Sequence, residues 1–220
     1  MISKLPKWVE VGALILALVA GFVNAIGLLS FEHQAVSHLS GTATLLGVGM
    51  IKGSVLGLVH VLGVLVSFLV GSCIAGFLLN SSALKLGRHY DTALFIEAFL
   101  LLGALWLLSE GSGYGHFLAS AACGLQNALA TTYSGAIVRT THVTGIFTDL
   151  GIMFGRFFRG EPLDKRKAKL FLLIIAGFII GGCLGAWFFI QFAFLALLVP
   201  STICILLAVT YRVYSHRITE

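Results

Sequence analysis

Apolar residues arrive along this chain in long runs, at 8–29, 55–79, 92–108, 114–133, 168–190 and 192–213, separated by short polar stretches. A helical crossing of a hydrocarbon core roughly 30 Å thick takes about 20 such residues, so each run predicts a membrane-spanning helix. Two shorter apolar stretches, 37–51 and 141–158, interrupt this pattern, and each is headed by a polar phrase, SHLSGT or THVTG. A helix from Ser40 to Lys52 rises 1.5 Å per residue and covers only about 20 Å, too little to span by itself.

The pattern repeats. Gly21, Asn24 and Ala25 pair with Gly124, Asn127 and Ala128. With one residue inserted, Ser37, His38, Ser40, Gly41, Thr44, Leu46 and Gly47 pair with Thr141, His142, Thr144, Gly145, Thr148, Leu150 and Gly151. Phe68, Gly71 and Cys73 then align with Phe178, Gly181 and Cys183. Residues 1–220 therefore read as a single membrane domain of two homologous halves, 8–110 and 113–214. Each holds three transmembrane helices and one short broken helix, in an all-α polytopic fold.

Crossing short elements would give eight crossings and parallel repeats; re-entrant ones give six crossings and inverted repeats. Basic residues collect on the cytoplasmic side. With the N-terminus inside, eight crossings leave 11 of the 14 Lys and Arg inside, whereas six leave 13 inside and only Lys52 outside. The charge distribution thus favours the inverted, six-crossing arrangement, with both termini cytoplasmic.

Composition sharpens this reading. Apolar residues make up 58% of the chain and charged residues 10%, with a mean hydropathy of +1.01, whereas a soluble domain carries about a quarter of its residues charged. The net charge of +5 sits in the predicted cytoplasmic loops, chiefly RFFRGEPLDKRKAK, and reads as topology and lipid-headgroup contact, with no nucleic-acid partner. The basic start followed by an apolar run resembles a signal peptide, but Gly21 and Asn24 have counterparts later in the chain, so the segment belongs to the fold. Cys73, Cys123, Cys183 and Cys204 lack ligand spacing and read as small packing residues, leaving no expectation of a metal or another cofactor.

Irregular backbone cannot face lipid, so the two polar phrases must face protein or a water-filled cavity. Ser37 or Ser40, and Thr141 or Thr144, are candidate N-caps. Gly41 and Gly145 remove side chains where the backbone approaches a neighbour or a ligand. Helix N-termini held at mid-membrane carry partial positive charge and free N–H donors, the means by which transporters and some channels bind anionic or polar solutes. The candidate solute-binding residues are Asn24, His38, Ser40, Gly41, Thr42, Thr44, Asn127, His142, Thr144, Gly145 and Thr148. The histidines either serve solute and protons or each donate one hydrogen bond that locks its loop; the asparagines bridge helices or line the cavity. Gln126 shares the Asn127 surface.

The halves also differ. Arg139 stands opposite Ala35 and Asp149 opposite Leu45, so the second half alone carries ionisable groups at its break, and these are the coupling candidates. Asp149 pairs with Arg139, with His142 or with a coupling proton, unless Arg139 sits at the cytoplasmic rim. Glu97 and His60 are further ionisable groups within apolar runs; Glu32 and His33 suit an outer vestibule.

At GFVNAIG, SHLSGTATLLG and GLQNALATTYSGAIVRTTHVTGIFTDLG the chain resembles the YoaK-like family of bacterial inner-membrane proteins, over nearly its whole length. The resemblance implies a polytopic cytoplasmic-membrane protein, for which a small-molecule transporter role is proposed, and it names no substrate. Family members often carry Gly-Asn-Thr in the first signature where this chain has Gly41-Thr42-Ala43, so a hydroxyl stands in place of an amide.

Three functions fit: a secondary transporter of a small polar or anionic solute, a passive channel, and an intramembrane enzyme. The last lacks a GxSxG nucleophile, an HExxH helix or a facing Asp pair, so no enzyme is expected. The partners are a small solute and the bilayer. A second copy shielding polar surface would suit a six-helix bundle of 23.4 kDa, which leaves a homo-oligomer open.

Overall fold

The computed structural model describes residues 7–79, 89–134 and 138–219. These form eight α-helices: α1 (Lys7–Leu29), α2 (Leu39–Lys52), α3 (Val55–Leu78), α4 (Tyr90–Ser109), α5 (Tyr114–Ser134), α6 (Val143–Phe158), α7 (Lys165–Phe192) and α8 (Leu198–Thr219). A 3-10 turn, Ala193–Leu197, joins the last two. No strand occurs among the described residues. Lys4, Lys85 and Arg88, which enter the charge count, lie outside them.

The helices pair across the halves. The first long helix of each half packs on the third element of the other, α1 on α7 and α3 on α5, while α4 packs on α5 and α8. Glycines make these approaches possible. A Cβ on Gly21 would fall on the carbonyl oxygen of Phe178, and one on Gly124 would fall on that of Phe68. Gly181 meets the carbonyl of Leu18 in the same way, and Gly71 that of Ala121. The partners correspond under the sequence repeat: Gly21 with Gly124, Phe178 with Phe68, Leu18 with Ala121. The repeat is therefore present in the packing as well as in the letters. Small residues let helix backbones approach where lipid offers no hydrophobic drive for helices to associate.

Among the described residues four stretches are long and apolar enough to cross a membrane: Trp8–Leu29, Val55–Leu78, Tyr90–Ser109 and Lys165–Tyr214, which contains α7 and most of α8. Helix α5 has length enough but carries His116, Ser120, Gln126 and Ser134. All four are buried. A helix enclosed by its neighbours can carry polar groups that lipid would not accept. Around it, α3 turns Leu56 and Phe77 outward, 84% and 92% exposed, as expected of a lipid-facing surface.

Side-chain contacts sort the helix ends. At one end, Glu32 beyond α1 and His60 in the second turn of α3 both lie within 4 Å of where a Cβ on Gly113 would stand, in the turn between α4 and α5. There too Ser30 and the buried His116 hydrogen-bond at 2.6 Å, and the Phe31 and Phe194 rings stack edge-on at 6.0 Å. At the other end, Glu10 accepts hydrogen bonds from Arg166 at 3.2 Å and Lys169 at 3.1 Å, joining α1 to the start of α7. Trp8 and Tyr90 both contact Tyr133, at 5.1 and 5.5 Å between ring centroids, and Tyr90 also meets Tyr211. The end of α1 and the start of α3 thus share one end of the bundle, so the chain through α2 leaves and returns there. The end of α5 and the start of α7 share the opposite end, and α6 does likewise from that side.

Candidate functional site

Each break is held by an asparagine one helix away. The side-chain carbonyl of Asn24 accepts the Ser37 N–H at 3.2 Å and the Ser37 hydroxyl at 2.9 Å. In the repeat-equivalent position, Asn127 accepts the Thr141 N–H at 3.5 Å. The extended segment is thereby pinned beside the inner length of α1 or α5, and a helix starts immediately after it. The asparagines bridge helix to break, and Asn127 also faces the cavity described below.

The expected caps are not those observed. His38 and His142 occupy the N-cap positions, and neither side chain caps its helix. Ser37 is drawn into the Asn24 bond, so its hydroxyl cannot turn to α2. Thr44 and Thr148 donate to the carbonyls of Ser40 and Thr144, one turn back, and Thr42 donates within the first turn to His38 or Ala35. The first N–H groups of α2 and α6 have no partner within their helices and no side-chain cap from these histidines. Nor do the histidines lock their loops among the described residues, where neither side chain makes a hydrogen bond. Gly41 and Gly145 have a specific purpose: a Cβ on Gly41 would stand 2.6 Å from Cδ2 of His38, and one on Gly145 would fall on the His142 ring. The neighbour that requires glycine is each helix's own imidazole, laid back over the first turn.

Both breaks open on one cavity of about 720 Å³. From the first come Ser37, His38 and Ser40; from the second, Arg139, Thr141, His142 and Thr144. The walls are Phe68, Ser72 and Gly76 of α3 and Asn127, Ala128, Thr131 and Thr132 of α5. These are later residues of α3 and α5, so the cavity leans toward the end of the bundle that holds the start of α1. Among the described residues its lining has one guanidinium, two imidazoles and several hydroxyls, and no carboxylate.

Six of the candidate solute-binding and coupling residues line this space: His38, Ser40, Asn127, Arg139, His142 and Thr144. Asn24, Gly41, Thr42, Thr44, Gly145, Thr148 and Asp149 do not. Asp149 is exposed on α6, and among the described residues no ion pair joins it to Arg139 or His142. Its helix buries only Ile146 and Leu150, and Asp149 stays outside the cavity lining. Gln126 also turns elsewhere, its amide donating to the Leu16 carbonyl of α1. Ser72, Thr131 and Thr132 were not anticipated. A signal existed for them, because the repeat sets these hydroxyls opposite Gly182, Leu28 and Leu29.

Among the described residues no three His, Cys, Asp or Glu side chains converge as a metal site, and all four cysteines are free. No solved structure matches the chain. It is similar to the UPF0700 transmembrane protein YoaK of Bacillus subtilis (strain 168), with 30% identity over 185 residues, covering 78% of each chain. The family model described as "Protein of unknown function (DUF1275)" matches residues 12–210, which take in both breaks and every helix from α2 to α7, and the chain belongs to that family.

Proposed function

We propose that this protein is a secondary transporter of a small anionic solute, built from two inverted repeats with six crossings and both termini in the cytoplasm of a bacterial cell. The observation that carries the reading is the shared cavity, where two uncapped helix N-termini, His38, His142 and Arg139 converge with no carboxylate among them. Helix N-termini and a guanidinium favour negative charge, and hydroxyls orient it. The inverted arrangement rests on α2 and α6 returning to opposite ends of the bundle. The orientation rests on the basic residues Arg166 and Lys169 at the end where α1 starts, against Lys52 on the other side.

In this mechanism the solute enters from the cytoplasmic end and displaces water from the first turns of α2 and α6. The exposed side chain of Arg139 takes its charge, and the hydroxyls of Ser40 and Thr144 fix its orientation. Release on the far side requires the α2 break to open as the α6 break closes.

The test is uptake of radiolabelled acetate, succinate and inorganic phosphate into proteoliposomes. Saturable uptake of at least one, with exchange against internal unlabelled solute, supports the reading. Flux that does not saturate and shows no exchange identifies a channel, and no flux of any of the three removes the anion assignment.

A further inference from the structure

Glu97 lies on α4, seven residues from its start and about 10 Å along the helix axis, with 1% of its surface exposed. It is a carboxyl in the interior of a membrane bundle. One of its oxygens, Oε2, has no hydrogen-bond partner. The titratable groups that face it are the thiols of Cys123 on α5 and Cys204 on α8, the latter hydrogen-bonded to it. The 3-10 turn at Ala193–Leu197, which also packs on α4, carries no titratable residue.

A carboxyl is a poor choice for packing at this position. Glutamine would fill the same volume without the hazard of a charge, and an unpaired ionisable group inside a membrane is expensive to keep. None of the groups facing Glu97 is a cation. The ligand that neutralises a carboxylate without a counter-ion is a proton. Asp149, the sequence's first candidate for coupling, is exposed and away from the cavity, whereas Glu97 adjoins the helix that forms a cavity wall. Cys123 and Asn127 are one turn apart on α5, and Asn127 both lines the cavity and holds Thr141.

We propose that Glu97 is a proton-binding site whose occupancy sets the position of α5 and, through Asn127, the opening of the second break. The assignment rests on the transporter reading for its purpose, since it names the coupling ion as H⁺. With the proton bound, α4, α5 and α8 close on a neutral acid, the arrangement described above. When the O–H proton passes to water, the remaining carboxylate draws water between α4 and α5, and α5 moves with Asn127. Reprotonation from the opposite side completes the cycle, carrying one proton per turn.

Two measurements on the full chain in lipid nanodiscs test this without any solute. In infrared difference spectra between acid and alkaline buffer, a protonated-carboxyl C=O band should titrate away reversibly. It should shift in Cys204→Ala, which loses the thiol contact, and be missing in Glu97→Gln. Spin labels at Ser40→Cys and Thr132→Cys, with Cys73 and Cys183 changed to Ser, report the width of the cavity. The distance should change with pH in the parent and stay at its acid value in Glu97→Gln. Absence of the band, a band unmoved by Cys204→Ala, or a distance that titrates equally in Glu97→Gln overturns the proposal. If Glu97→Gln does not fold, the Cys204→Ala band shift decides alone. Failure of either measurement leaves anion uptake standing, and absence of anion uptake leaves the proton site standing.

Discussion

Asn24 holds Ser37 through two hydrogen bonds, 3.2 Å from the backbone N–H and 2.9 Å from the hydroxyl, and both residues are buried. The counterpart in the second half is looser. Asn127 reaches Thr141 through one bond of 3.5 Å, and both are only partly buried. The two breaks are thus unequal copies of one device, the first held by two bonds and the second by one longer bond, both lining the same cavity.

Replacing Asn24 with Ala leaves the Ser37 N–H and hydroxyl without a partner in a buried site. The expected loss is about 1–3 kcal/mol, the penalty of orphaning buried polar groups. Asn127→Ala removes one long bond beside a cavity that water can fill, and should cost less than about 1 kcal/mol. Thermal unfolding of the two variants in the same detergent gives the order; equal losses would mean that the breaks are held alike.

Packing makes a sharper distinction among glycines. Gly21 and Gly124 have the facing helix's backbone oxygen where a Cβ would stand, so Gly21→Ala and Gly124→Ala force helices apart. A loss of about 1–3 kcal/mol is expected for each, the range for overpacking. Gly12 and Gly155 have nothing within 4 Å, so alanine there should be neutral or gain up to about 1 kcal/mol from helix propensity. Unfolding midpoints of the four variants separate the two classes.

The long helices could be read from the chain because lipid imposes a length and a composition, and a chain that repeats states them twice. Their bounds differ from the expected runs by only a few residues at most ends; the exception is α8, expected at 192–213, which starts at Leu198 after the 3-10 turn and runs to Thr219. Which helix lies against which could not be read the same way. Nothing in SFLVGSC says that α3 meets α5 of the other half, so Ser72, Thr131 and Thr132 were passed over while Arg139 and the histidines were found. The caps were misassigned for a local reason. Serine and threonine are good caps only when free to turn to their own helix, and here Asn24 takes the Ser37 hydroxyl first. Asp149 stands out in the sequence because a charge is rare in an apolar run, but rarity does not give position, and the structure leaves it exposed on α6 and outside the cavity lining.

The proposed orientation predicts which end of the bundle faces out. A cysteine at Lys52, placed in a chain with Cys73 and Cys183 changed to Ser, should react with a membrane-impermeant maleimide in intact cells. A cysteine at Lys169 should react only after the inner face is opened. The reverse pattern inverts the protein in the membrane, and reaction of both from one side removes the six-crossing arrangement.

Arg139 is the cation that the first break lacks at the matching position, Ala35, and the repeat offers a way to test its purpose without changing the net charge. Arg139→Gln should leave the fold intact, because the side chain is exposed and makes no ion pair among the described residues, yet reduce uptake of the transported anion at least about tenfold, the loss of one charge-assisted contact. Ala35→Arg in that background places a guanidinium at the matching position of the other break. If Arg139 supplies only a local positive field, the second-site arginine should restore uptake in part, at a higher KM. If Arg139 must act from the cytoplasmic end of the open cavity, restoration should fail for entry from that side and appear in right-side-out vesicles loaded in the opposite direction. Uptake unchanged in Arg139→Gln would take the guanidinium out of the site and leave the helix N-termini and imidazoles to account for any preference for anions.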